Sequence, residues 1–143
     1  MKKIVFLSLV IALIIGSCTQ QEVKSPVEGA WKIVSFNMPS MNMTFPGQVQ
    51  GEQIKIWTKE YVAFVGQYKV DTTVTANYGW GTYTLNGNKY EEKVVLHADK
   101  PSIGRTIRIL LDIRNDTLTQ RYPADENWKL QEGYSTEKYV RVE

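Results

Sequence analysis

The chain has 143 residues, 17 Lys and Arg against 15 Asp and Glu, one histidine and one cysteine, a length that suits one domain. Residues 1–17 hold two of the lysines and no acid, so residues 18–143 carry 15 charges of each sign. That balance lacks the basic excess that nucleic-acid binding needs, and one cysteine with one histidine excludes an internal disulfide and a histidine-clustered zinc site.

Lys2 and Lys3 precede a nearly unbroken apolar run from Ile4 to Ile15, followed by the small residues Gly16 and Ser17. A positive start, an apolar stretch of this length and a small-residue site predict a secretory signal over 1–17. The run is shorter than the roughly 20 residues of a membrane-crossing helix. Cys18 follows Ile15-Gly16-Ser17, which resembles the lipobox of bacterial lipoproteins, where the cysteine is acylated with palmitate-type chains and becomes the new N-terminus. The resemblance implies a lipid anchor at Cys18, stable because each buried methylene contributes ~0.8 kcal/mol. Thr19 to Val27 is polar, contains Pro26 and lacks periodicity, so residues 18–28 are read as the lipidated cysteine and a tether. Thr19 stands where lipoproteins kept in the inner membrane commonly have Asp. The expected address is therefore the outer membrane, on its periplasmic or its surface face.

Residues 29–143 read as strands without a convincing helix. Trp31, Ile33 and Ser35 share one face of the first strand, with Val34 and Phe36 on the other. Residues 37–51 form a long connection rich in Asn, Pro and Gly. Ile54 and Ile56 mark a second strand, Thr58-Lys59-Glu60 a turn, and Tyr61 to Val65 a third strand. Residues 66–78 are polar and read as a connection, after which Gly79 and Gly81 introduce a fourth strand through Tyr83 and Leu85. Asn86-Gly87 predicts a type I′ hairpin leading into Tyr90 to Leu96. Beyond Lys100-Pro101-Ser102, Ile107, Ile109, Leu111 and Ile113 alternate cleanly along a sixth strand. Asn115-Asp116 turns the chain into Thr117–Tyr122, and Thr136 to Val142 follows a loop at 123–134. Eight such strands, mostly joined as neighbouring hairpins, predict an all-β, eight-stranded antiparallel up-and-down barrel, with a β-sandwich as the alternative.

Gly29-Ala30-Trp31 resembles the Gly-x-Trp signature that opens the first strand of lipocalins and other calycins. Tyr90-Glu91-Glu92-Lys93-Val94 and Glu137-Lys138-Tyr139-Val140-Arg141 resemble segments of the lipocalin-like domains of small secreted bacterial lipoproteins. The resemblance implies a lipocalin-like barrel over 29–143, with Gly29, Trp31, Glu92 and Arg141 as its structural signature. It also implies that Arg141 packs over Trp31 where the barrel closes.

No catalytic residue is expected. His97 has no local nucleophile motif around it, Glu91 and Glu92 point to opposite faces of a strand, and Asp112, Asn115 and Asp116 fit a hairpin better than a calcium loop. No cofactor and no metal is expected either. The segment from Met38 through Met41 and Met43 to Phe45 gathers three of the four methionines, and their soft side chains suit either a ligand portal or a plug over the barrel mouth. Tyr83, Tyr90, Glu92, Tyr139 and Arg141 form an expected interior polar group. Two roles are open for Arg141: binding an anionic head group with Tyr139, or a structural place over Trp31 neutralised by Glu92 or Glu137. Trp57, Tyr78, Trp80 and Trp128 are expected at strand ends or in loops, as stacking platforms for a glycan or protein partner or as caps on the barrel.

The function expected from these readings is a lipid-anchored envelope barrel that binds a small, mostly apolar ligand without catalysis. The alternative is an accessory or interaction module of an outer-membrane assembly or nutrient-capture system, its barrel filled by its own side chains.

Overall fold

The structure, a computed structural model, describes residues 24–142; the signal segment and Cys18 lie outside the described residues. Nine strands follow in order: β1 (Gly29–Met38), β2 (Met43–Phe45), β3 (Val49–Trp57), β4 (Tyr61–Val70), β5 (Thr73–Asn86), β6 (Lys89–His97), β7 (Thr106–Arg114), β8 (Thr117–Ala124) and β9 (Leu130–Arg141). Each of β3 to β8 pairs antiparallel with its successor, β1 pairs with β3, and β9 returns to pair with β1. The result is a closed eight-stranded antiparallel barrel, consistent with a lipocalin-like fold, with β2 as an extra strand. Closure removes the unpaired edges that an open sheet would expose. Only Gly29–Lys32 of β1 pairs with β3; above that point β2 takes the free edge, matching Phe36 to Phe45 and Met38 to Met43.

The alternation along the strands gives the barrel two unlike ends. β1 runs from Gly29 at one end to Met38 at the other. The Trp57–Tyr61, Asn86–Lys89 and Arg114–Thr117 turns therefore lie at the Gly29 end, with the Arg141 terminus of β9. The Gly29 end is sealed. Trp31 is 0% exposed, donates from Nε1 to the Val27 carbonyl at 2.8 Å, and meets Trp57 edge to face at 6.5 Å. The Arg141 guanidinium lies 4.1 Å from the centre of the Trp31 ring and donates to the carbonyls of Glu28 (2.6 Å) and Pro26 (2.9 Å). Arg141 thus ties the segment entering the barrel to the last strand, stacking on the ring of the first.

Five local expectations are corrected. Residues 66–78 are no connection: β4 and β5 pair without a break down to Val70 and Thr73, where Asp71 takes a positive φ of 52°. The long segment at 37–51 contains a 3₁₀ turn at Pro39–Met41, β2, and the start of β3 at Val49, while β9 begins at Leu130 inside the expected 123–134 loop. The turn after β5 has Gly87 and Asn88 at its centre, between the paired residues Asn86 and Lys89. Only Gly87 has positive φ, the requirement of a II′ rather than a I′ turn. Finally, a bulge between Ile33 and Ser35 places an extra residue, Val34, on β1. Phe36, expected beside Val34 on the outer face, is turned into the core while Val34 stays exposed.

The inner face of β7 is as its alternation predicts: Ile109 and Leu111 are buried and Ile107 and Ile113 pack against the same core. On β3 the pattern inverts. Gln53 and Lys55 are buried, whereas Ile56 is 45% exposed. Ile56 belongs to an outward row in register across four strands, Ile56, Ala63, Trp80 and Leu96, flanked by Val65 and Tyr78. Over this part of the wall the barrel faces solvent with apolar side chains and keeps polar ones inside.

Candidate functional site

The inward polar residues meet in a cavity of about 870 Å³ that opens at the end opposite Trp31. Its rim is apolar on the side formed by the β1–β2 segment (Met38, Met41 and Met43) and by Val70 at the tip of β4, and polar where His97 and Asp99 stand. Phe36, Phe64, Ile107 and Ile109 carry the apolar lining further in.

The floor is polar. Lys55 sits on β3 between Gln53 and Trp57, and its ammonium approaches Glu92 of β6 at 3.6 Å, both side chains 7% exposed. The same ammonium donates to Gln120 Oε1 at 3.3 Å and lies 5.0 Å from the centre of the Trp57 ring. Trp57 Nε1 donates to the Tyr90 hydroxyl (3.1 Å), which donates onward to Glu92 (3.0 Å). A second carboxylate, Glu137 of β9, receives one phenol on each oxygen: Tyr122 at 2.7 Å and Tyr139 at 2.6 Å. The Tyr139 oxygen in turn accepts from Gln53 Nε2 at 2.9 Å, and Gln53 Oε1 accepts from Asn77 (2.7 Å) and Tyr68 (3.3 Å). Buried charges persist where they are paired or strongly hydrogen-bonded; the web pairs Lys55 with Glu92 and gives Glu137 two phenol donors.

The phenols are held in their neutral, donating form. Burial raises Tyr90, Tyr122 and Tyr139 well above the usual tyrosine range, and the adjacent carboxylates (Glu92 for Tyr90, Glu137 for the other two) add to the shift. Tyr68 is raised in the same way, by burial and then by Glu137. The unfolded chain releases these protons near pH 10, before the folded chain does, so the stabilisation is complete below pH ~10 and declines as pH rises toward the folded values. Each such phenol should remove about 1.4 kcal/mol per pH unit in that range. In an alkaline titration, phenolate absorbance from these residues should appear together with loss of the near-ultraviolet circular dichroism, and Tyr139→Phe should make the decline shallower.

The sequence candidates separate on this geometry. Met38, Met41, Met43 and Tyr139 line the cavity. Phe45, Tyr83, Tyr90 and Arg141 do not. Phe45 stacks on Phe36 at 5.5 Å, Tyr83 stacks on Tyr90 at 5.1 Å and donates to the Thr58 carbonyl, and Tyr90 lies beneath the floor. Arg141 is outside the expected interior group: it lies under Trp31, and its carboxylate neighbour is Asp116 at 3.8 Å rather than Glu92 or Glu137. Trp57 stands at the end of β3, as expected, but it is 2% exposed and central to the core rather than a stacking platform, because β3 turns Gln53, Lys55 and Trp57 inward together. Tyr78 and Trp80 are exposed, but on the outer face of β5 rather than in loops.

His97 lies at the cavity mouth against Phe64. Its Nδ1 accepts from the Asp99 backbone at 2.9 Å, and the Ser102 hydroxyl donates to Asp99 Oδ2 at 2.7 Å, so that hydroxyl is committed to a carboxylate and not to the imidazole. Among the described residues no group of three or more His, Cys, Asp or Glu is placed to hold a metal ion.

Gln53, Lys55 and Gln120 were missed as site residues. Their one signal is alternation with apolar or β-branched neighbours, which reads equally well as a strand with its polar face in solvent. Compared with known proteins, the chain matches neither a family model nor a curated sequence.

Proposed function

We propose that this chain is a lipocalin-like, lipid-anchored barrel of the bacterial cell envelope that binds a small, mostly apolar molecule in its open cavity and catalyses no reaction. The observation that carries the reading is the cavity itself. At about 870 Å³, with a methionine-rich rim and a few convergent polar groups at its floor, it has the size and the mixture of a small-molecule site. Lipocalin kinship rests on the Gly29-Ala30-Trp31 opening and the Arg141 stack over Trp31, and the anchor on the sequence around Cys18. A saturable rise in fluorescence of an uncharged probe, N-phenyl-1-naphthylamine, is expected on titration with the purified protein. For the anchor, Cys18→Ser should move the protein from the membrane to the soluble fraction; unchanged fractionation would refute lipidation.

The outer wall favours a second reading, an accessory module that docks on an envelope protein or glycan. Val65 (62% exposed), Tyr78, Trp80 and Leu96 form one contiguous apolar face, and Tyr61 packs its ring 6.4 Å from that of Trp80. Aromatic side chains are enriched at protein interfaces. The two readings use opposite faces of the same wall, so Trp80→Ser should leave probe binding unchanged.

A further inference from the structure

Gln120 is 0% exposed and lines the cavity, yet its Nε2 has no hydrogen-bond partner among the described residues. Its orientation is not arbitrary. Oε1 faces the Lys55 ammonium at 3.3 Å, and a flipped amide would present its NH₂ group to that cation. A buried donor without an acceptor is costly, and native interiors hold few of them. Directly across the β8–β9 ladder from Gln120 stands Glu137. Cross-strand partners place their Cβ atoms about 5 Å apart. Glu137 accepts one phenol per oxygen, and a carboxylate offers roughly four lone-pair directions, so it retains acceptor capacity. The floor therefore holds an unsatisfied N–H donor across the ladder from a carboxylate with acceptor capacity to spare.

The surrounding charge narrows the ligand further. Lys55 is the only lysine or arginine lining the cavity among the described residues, and it is already engaged by Glu92. Glu92 and Glu137 at the floor, and Asp99 with His97 near the mouth, are the other titratable groups that face in besides the phenols. A carboxylate brought to the floor would meet Glu137 with no uncommitted cation to offset it. An alkylammonium would suit Glu137 but would set its own N–H groups against Gln120 Nε2.

We propose that the ligand is an apolar molecule ending in an uncharged carboxamide or hydroxyl, its oxygen accepting from Gln120 Nε2 and its N–H or O–H donating to Glu137. The inference rests on the cavity-binding reading and replaces the anionic head group that Arg141 suggested. It is tested by displacing N-phenyl-1-naphthylamine from the purified protein with dodecanamide, dodecan-1-ol, dodecylamine and dodecanoate, each below its solubility limit or micellar concentration. The amide and the alcohol should displace the probe at concentrations at least about tenfold lower than dodecanoate or dodecylamine. Gln120→Leu should shrink the amide preference to within about threefold, with each displacement referred to that variant's own probe affinity. Glu137→Gln, which keeps the shape and removes the charge, should strengthen dodecanoate by about fivefold or more relative to dodecan-1-ol. If dodecanoate matches or beats the amide, or if neither substitution changes the order, the head-group proposal is overturned. If the probe binds and none of the four compounds displaces it, the head-group proposal falls and the cavity reading stands. If the probe itself does not bind, both fall.

Discussion

Replacing Lys55 by methionine should destabilise the folded protein by about 3–5 kcal/mol, measured by chemical denaturation at neutral pH. Methionine fills most of the volume and keeps the contact with Trp57, so the loss is electrostatic. Glu92 would stay buried with the Tyr90 hydroxyl as its remaining donor, and Gln120 Oε1 would lose the donor it has. The penalty of a broken buried pair is mostly that of the charge left behind, which makes the double variant informative. Lys55→Met with Glu92→Leu should recover much of the loss, because an apolar pair of similar volume is often neutral or better. If Lys55→Met alone costs under about 1 kcal/mol, Lys55 is not where the structure puts it.

The second large effect is expected at the closed end. Trp31→Ala should cost about 3–5 kcal/mol, the range for deleting a fully buried aromatic. The substitution removes the ring that meets Trp57, the donor to the Val27 carbonyl, and the surface on which Arg141 stacks. Arg141→Ala should cost less, because the ring stays buried while the tie to the Glu28 and Pro26 carbonyls is lost. A Trp31→Ala change below about 1 kcal/mol would mean that β1 does not seal the barrel.

The sealed end was legible in the sequence and the cavity floor was not, for a physical reason. Trp31, Ile33 and the Ile107–Ile113 alternation obey the rule that apolar faces turn inward, and the strands built on them stand where the periodicity puts them. The wall formed by β3, β4 and β5 breaks that rule. Gln53, Lys55, Thr75 and Asn77 line the cavity while Ile56, Val65 and Trp80 face outward, so the apolar half of the pattern marks the wrong side. The same inversion made residues 66–78 read as a polar connection, although they form a hairpin in unbroken register. The bulge at Ile33/Ser35 hid Phe36 in the same manner, since one inserted residue reverses the parity of all that follows. For Arg141, parity correctly placed it on the face shared with Glu137 and Tyr139, but position along β9 decides its surroundings. Tyr139 reaches the floor, and Arg141, one step nearer the closed end, lies beneath Trp31.

The central claim is that the open cavity is a binding site rather than a space the protein leaves idle. Thr75 lines the cavity, yet it is exposed, so Thr75→Trp would place an indole in the opening with little effect on the core. Titration of N-phenyl-1-naphthylamine into the parent protein and into Thr75→Trp, with the unfolding midpoint of both measured alongside, tests the claim most directly. Saturable one-to-one binding to the parent, weakened at least about tenfold in an equally stable Thr75→Trp, is the predicted result. Probe binding that is absent from the parent, or indifferent to the tryptophan, would contradict it.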